Sequence, residues 1–152
     1  MSEPGAIQEV VVRGGPAGLR QEIQAGGHRL VADEPVSAGG TGGGPTPYDL
    51  LLGALGACTS MTLRLYADRR QWPLQAVTVR LSHRRIHRDD CLGCDENELY
   101  IEHVDRTLEL AGPLTDEQRA RLLAIAERCP VHLTLKRRME VETRLAPAAA
   151  AG

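Results

Sequence analysis

Phenylalanine is absent from this chain. One tryptophan and three tyrosines make up its aromatic complement, 3% of the 152 residues. A core must therefore be built from Leu, Val, Ile and Ala, and there is no row of rings on which nucleic-acid bases could stack. An excess of charge of one sign is also missing. Lys and Arg number 18 against 20 Asp and Glu, a formal net charge of −2. That balance lacks the electrostatic footprint of a nucleic-acid binder, so neither nucleic acid nor membrane is expected as a partner. Glu3 is acidic where a secretory leader would be basic, and no apolar run follows it. No signal peptide and no transmembrane segment are expected, and the expected compartment is the cytoplasm. Thiols stay reduced there, so the four cysteines read as catalytic, metal-binding or inert rather than as structural disulfides.

The chain is organised around the stretch from Thr46 to Ala67. Thr46 suits an N-cap, Pro47 suits the first helical position, and Asp49 stands where a capping-box acid reaches back. The helix so opened is expected to run to about Arg70 or Gln71, because Pro73 cannot continue it. Leu50 to Cys58 carries no charge, and a helix apolar all round is normally buried all round. That uncharged run is shorter than the roughly 20 residues a membrane span needs. Gly53, Ala54, Gly56 and Ala57 let another backbone come close, and each interior glycine costs about 1 kcal/mol relative to alanine. Arg64, Asp68, Arg69 and Arg70 return the helix to solvent.

Around this helix the pattern alternates strands and turns. Ile7 to Val12, Leu19 to Ile23 and His28 to Ala32 read as an antiparallel meander, turning at Arg13–Gly18 and at Ala25-Gly26-Gly27. Asp33 to Pro45 is a glycine-rich loop. It lacks the Lys-Ser/Thr that a phosphate-cradling loop places at a helix start, so it reads as a hinge or a close-packed loop. Leu74 to His87 and Glu98 to Leu110 read as two further strands, with a polar loop from Arg88 to Asn97 between them. Thr115-Asp116-Glu117-Gln118 is a second capping box, opening a helix to about Arg128 that Cys129-Pro130 closes. Leu133 to Leu145 alternates as a last strand, and Ala146 to Gly152 is a low-complexity tail expected to be disordered. The order predicts one α+β domain over residues 1–145, with a largely antiparallel sheet, a long central helix and a second, shorter one.

Cys58 and Cys129 each fall on a predicted helix, and the thiols can meet if those helices pack together. A buried cysteine is by default a small hydrophobe. The alternative is a pair in which one thiolate attacks a peroxide to become a sulfenic acid and the second thiol condenses with it to a disulfide. Cys58 lies about three turns into its helix, beyond the reach of the helix dipole. A cation would therefore have to hold it as a thiolate, and Arg13 and Arg20 at the first turn are candidates. Cys129 is expected at a helix C-terminus, where the dipole disfavours a thiolate.

The segments Gly44 to Thr62 (GPTPYDLLLGALGACTSMT) and Ala126 to His132 (AERCPVH), with Asp33-Glu34-Pro35 and Gly39-Gly40, resemble the OsmC/Ohr family over roughly Val11 to Thr143. The resemblance implies an intertwined α+β homodimer with sites at the subunit interface. It also implies a thiol-dependent peroxidase acting on organic hydroperoxides. Cys58 matches the peroxidatic and Cys129 the resolving position, with a dithiol reductant, of lipoyl or other type, restoring the pair. The family's glutamate, ten residues before the first cysteine, matches Tyr48 here, with Asp49 next to it as a possible activating group. A non-enzymatic thiol sensor or interaction module of the same fold is the alternative. No flavin, haem or nucleotide motif is present, and no cofactor is expected.

His83, His87, Cys91 and Cys94 form a second constellation. Cys-x-x-Cys beside two histidines invites a zinc reading. Yet two histidines four residues apart on a straight strand lie about 13 Å apart, too far to share one ion, though His103 on a neighbouring strand could replace one. A metal site, a second redox pair and an inert polar loop all remain open for these residues. His28 and His132 read as surface or strand residues.

Overall fold

Two consecutive glycines make the first tight turn. The computed structural model describes residues 8–87 and 100–147. Its first elements are β1 (Val10–Gly14), β2 (Gln21–Ala25) and β3 (His28–Ala32), paired antiparallel in the order β1-β2-β3. Ala25 pairs with His28, so the β2–β3 connection is Gly26-Gly27 alone, at φ 55° and 80°. Positive φ at both central residues is the turn whose twist matches a hairpin, and glycine adopts it without steric cost.

The glycine-rich loop after β3 is packed rather than loose, and it closes on Asp33. This residue is only 2% exposed. One carboxylate oxygen accepts from the Thr41 hydroxyl at 2.6 Å, the Thr41 amide at 3.2 Å and the Gly43 amide at 3.1 Å, and the other accepts from the Glu34 amide at 2.8 Å. The Asp33 amide donates to Pro45 at 3.0 Å. A Cβ at Gly40 would collide with the Glu34 carbonyl, so the loop demands glycine there. With the Thr41 hydroxyl first among its donors, Asp33 is held down to about 2.

Helix α1 spans Pro47–Arg69. The expected box is formed: the Asp49 amide donates to Thr46 Oγ1 at 3.1 Å, and the Thr46 amide donates to Asp49 Oδ2 at 2.9 Å. Leu55, Gly56, Thr59, Leu63 and Ala67 make its buried face. All-round burial is not reached within one chain, because Leu51, Met61 and Leu65 stay 42%, 65% and 45% exposed. At 23 residues α1 is long and apolar enough to cross a membrane by length and composition. Its second half instead packs in a protein core. Leu63 and Ala67 meet Leu74, Leu122, Ile125 and Ala126, with Tyr66, Trp72, Val77, Leu108, Leu110 and Leu114 around them.

Strands β4 (Ala76–His87) and β5 (Tyr100–Ala111) form a separate two-stranded sheet. Arg80 bonds Glu109 and Arg84 bonds Asp105, so numbers rise on one strand as they fall on the other and the pairing is antiparallel. Helix α2 spans Asp116–Ala126, capped by Thr115 and Gln118 in the box expected for them. Gly112 turns the chain into it at φ 124°.

The last expected element is not a strand. Pro130–Lys136 is a short helix, α3, and residues 138–147 carry no strand within the described chain. The proline that ends α2 is also the first residue of α3. It removes an amide that would have no partner there and presets φ, while Cys129 before it takes an extended conformation at φ −56° and ψ 131°. Alternation from Leu133 onward was outweighed by that start signal. Val141 and Leu145 are 81% and 99% exposed.

The chain divides into two units. One takes in residues up to Ala54 and Leu81–Asp105; the other takes in Leu55–Arg80 and the chain from Arg106 onward. The first holds the three-stranded sheet and the Asp33 loop, and the second holds the apolar core with Cys58 and Cys129.

Candidate functional site

In the second unit, α1 supplies Cys58 and Thr59, β5 supplies Arg106, Glu127 follows α2, and Cys129 and His132 belong to α3. Cys58 and Cys129 are both free thiols. Cys58 is half-buried and Cys129 fully buried. The two are neighbours, within hydrogen-bonding reach of each other.

Their surroundings push them apart. Burial raises the Cys58 thiol, and its hydrogen bond with Cys129 adds to the rise; the Val131 amide and the Thr62 hydroxyl oppose this only in part. Burial would raise Cys129 as well, but the Cys58 thiol, the His132 amide, the Thr59 hydroxyl and the Val131 amide outweigh it and bring Cys129 below an ordinary thiol. The cause is position. Cys129 is not at a helix C-terminus, as the sequence suggested, but is the N-cap of α3. Val131 and His132 are then N2 and N3, whose amides point back at an N-cap side chain. The sulfur falls short of a regular side-chain cap bond, so these amides act as oriented dipoles at a helix start.

A nearly buried cation is bonded to Thr59. Arg106, whose side chain is 10% exposed, donates from Nη1 to Thr59 Oγ1 at 3.0 Å and from Nη2 to Glu127 Oε1 at 3.1 Å. The Thr59 hydroxyl in turn donates to the Leu55 carbonyl at 2.7 Å. His132 Nε2 lies 3.1 Å from Glu127 Oε2. Burial lowers His132, with Glu127 opposing and Arg106 and Lys136 adding to the shift. His132 is thus a helical residue of the site and not a surface or strand residue.

Arg106 was missed from sequence, although a signal existed. On β5 it shares the inward face of Leu108 and Leu110, so it is a charge on an otherwise apolar alternation. The residues offered from sequence belong to the first unit. Arg13 is on β1, and Arg20 precedes β2 and pairs with Glu22 at 3.2 Å. Both line a concavity on the three-stranded sheet. The Asp49 carboxylate is taken up by the α1 cap.

The second constellation is only partly on view. Cys91 and Cys94 lie outside the described residues. His83 bonds Glu102, which Arg85 also holds at 2.8 Å, and its ring stacks on Tyr48 at 4.5 Å. His87 meets Tyr100 edge-on, and His103 bonds Asp105 at 3.2 Å. No group of three metal-binding side chains occurs among the described residues.

The OsmC-like protein family matches residues 40–144, a span that contains both cysteines. The chain belongs to the OsmC family. Solved structures with this OsmC fold include an OsmC-like protein from Mycoplasma pneumoniae, at TM-score 0.69 and 16% identity over 87% of this chain and 89% of that one. An organic hydroperoxide resistance protein OsmC from Legionella pneumophila gives TM-score 0.63 and 21% identity, over 88% and 92%. The organic hydroperoxide resistance protein OhrB of Bacillus subtilis gives 0.58 and 20%, over 86% and 91%. At these identities the likeness is one of fold. No protein with a curated description matches the chain in sequence.

Proposed function

We propose that this OsmC-family chain is a cysteine-based peroxidase that reduces organic hydroperoxides, with Cys58 as the attacking and Cys129 as the resolving thiol. The observation that carries this reading is the juxtaposition of a partly open thiol with a sealed one. Cys58 is reachable by a small substrate, and Cys129 is placed to condense with whatever Cys58 becomes. Attack of the Cys58 sulfur breaks the O–O bond, releasing the alcohol and leaving a sulfenic acid. Cys129 then displaces water to form the disulfide, and a dithiol reductant, of lipoyl or other type, restores both thiols. The family fold and its organic hydroperoxide resistance neighbours support the substrate class.

A homodimer in the cytoplasm completes the proposal. Leu51, Ala54, Cys58, Met61 and Leu65 follow one another at helical spacing on α1, and all are partly or fully exposed in the single chain. A second copy would cover this strip in an interface of about 2,000 Å² or more.

Steady-state turnover of cumene hydroperoxide with a dithiol reductant tests the function. Turnover that depends on Cys58 supports it, and oxidation without turnover rejects it in favour of a thiol sensor. Two observations favour that second reading: Tyr48, at the position of the family's glutamate, is stacked on His83, and burial raises the Cys58 thiol.

A further inference from the structure

The apolar packing of α1 against α2 runs through Leu63 and Ala67 on one side and Leu122, Ile125 and Ala126 on the other. Those contacts begin about one turn beyond Thr59. At the level of the two cysteines a guanidinium joins the same parts of the chain. Arg106 reaches in from β5 with a side chain only 10% exposed. Its Nη1 donates to Thr59 Oγ1 at 3.0 Å, and its Nη2 donates to Glu127 Oε1 at 3.1 Å. Glu127 Oε2 in turn lies 3.1 Å from His132 Nε2. Thr59 follows Cys58 directly on α1, and Glu127 and His132 stand on either side of Cys129 in the chain. The Thr59 hydroxyl gives its one proton to the Leu55 carbonyl at 2.7 Å, so toward Arg106 it is an acceptor only. The bond fixes where Thr59 stands and passes no proton on. Glu127 is 58% exposed, so the arm on fully buried Thr59 is the stronger of the two.

We propose that Arg106 clamps the two cysteine-bearing segments in register and so sets how readily Cys58 and Cys129 close into a disulfide. Two groups already held side by side react at a high effective concentration, because little freedom is left to lose. With the clamp in place the thiols are neighbours before any oxidant arrives. Without it, closure must itself order the Cys58 turn of α1 against the junction of α2 and α3. Arg106 touches no reacting atom and is a positioning residue. The resolving role of Cys129 rests on the peroxidase reading; the ease of closure does not. Glutathione disulfide closes the pair by two exchanges. The Cys58 thiolate attacks it, forming a mixed disulfide and releasing one glutathione thiolate. The Cys129 thiolate then attacks the Cys58 sulfur, forming the Cys58–Cys129 bond and releasing the second. The two cysteine protons go to the released thiolates, so one dithiol is oxidised as one glutathione disulfide is reduced.

Equilibration of the Cys91→Ser/Cys94→Ser chain with glutathione buffers of graded ratio, read by alkylation of free thiols and peptide mapping, tests the clamp. Arg106→Met should shift the equilibrium about tenfold toward the dithiol, the order expected for loss of a charge-assisted hydrogen bond. Thr59→Val removes the acceptor, keeps the shape and should reproduce this shift. Arg106→Lys keeps the charge but not the two-armed fork and should lose about threefold. Thr59→Ser keeps the acceptor and should stay within about twofold of the parent. A residue that only supports the fold lowers the Tm of the dithiol and disulfide forms alike, so the gap between the two melting points is the second readout. By linkage that gap should narrow in Arg106→Met and Thr59→Val. Folded Arg106→Met and Thr59→Val chains whose equilibrium and melting gap match the parent overturn the clamp. So does a parent that forms no Cys58–Cys129 disulfide in glutathione. Should Arg106→Met fail to fold, Thr59→Val and Arg106→Lys decide. No peroxide is present, so normal closure without turnover of a hydroperoxide rejects the peroxidase and keeps the clamp.

Discussion

Cys58 and Cys129 are hydrogen-bonding neighbours, the first thiol raised chiefly by burial and the second lowered by the hydrogen bonds around it. Peroxide should therefore produce a disulfide between these two residues, detected by peptide mapping. Cys58→Ser should abolish peroxide consumption. Cys129→Ser should consume about one equivalent and stop, leaving Cys58 as a sulfenic acid open to over-oxidation. A Cys91–Cys94 disulfide with Cys58 and Cys129 still reduced would move the redox centre to the loop.

Acid should loosen the Asp33 loop. The carboxyl is held near 2 against an ordinary 3.8, chiefly by the Thr41 hydroxyl and the Gly43 amide. A lowered folded-state value contributes stability that is complete above the unfolded value and lost as pH falls through the folded one. Asp33→Asn should lower Tm by about 5 °C at neutral pH and flatten the dependence of Tm on pH between 3.8 and 2. Thermal scans of the two chains across that range measure both effects.

Gly112 should tolerate no side chain. It holds φ at 124°, and an added Cβ would run into the Pro73 carbonyl. Gly112→Ala combines backbone strain with a collision that no side-chain rotation relieves, at a cost of about 3 kcal/mol. Tm should fall by roughly 10 °C. An unchanged melting curve would show that the β5–α2 turn can relax.

Met61→Glu tests the dimer. Met61 is 65% exposed within the chain, so a charge there leaves the fold of one chain undisturbed but places a carboxylate in the strip on α1 that a second copy would cover. Sedimentation should show a dimer for the parent at micromolar concentration and a monomer for the variant. A parent that sediments as a monomer would sink the proposal.

Zinc should be absent at stoichiometric level from purified protein. His83 is engaged with Glu102 and Tyr48, and His103 with Asp105. Elemental analysis finding about one zinc per chain, lost on replacing Cys91 and Cys94 together, would reverse this expectation.

Several local signals in the sequence agree with the structure. The boxes at Thr46/Asp49 and Thr115/Gln118, the Gly26-Gly27 turn and strand β3 depend on residues within four positions of one another. Capping and turn chemistry operate over that distance. Between Cys129 and Leu145 the sequence suggests a stop at Pro130 and an alternating strand, where the structure has helix α3 followed by chain without a strand. Pro130 is both a stop and a start. Alternation alone cannot distinguish a strand from a single helical turn followed by extended chain.

By itself the sequence determined the α+β class, the central helix and the two cysteines, because periodicity, caps and a paired motif lie along the chain. Only the tertiary structure decided the electrostatics of the pair. Arg106 is 47 residues from Thr59 and 23 from Cys129, a separation no local pattern spans. Its link to Thr59 requires β5 and α1 to meet with that one charge turned inward. Which thiol is harder to ionise depends on burial and on amides and hydroxyls brought together from α1 and α3. At such short range in a buried site these outweigh anything that sequence position alone contributes.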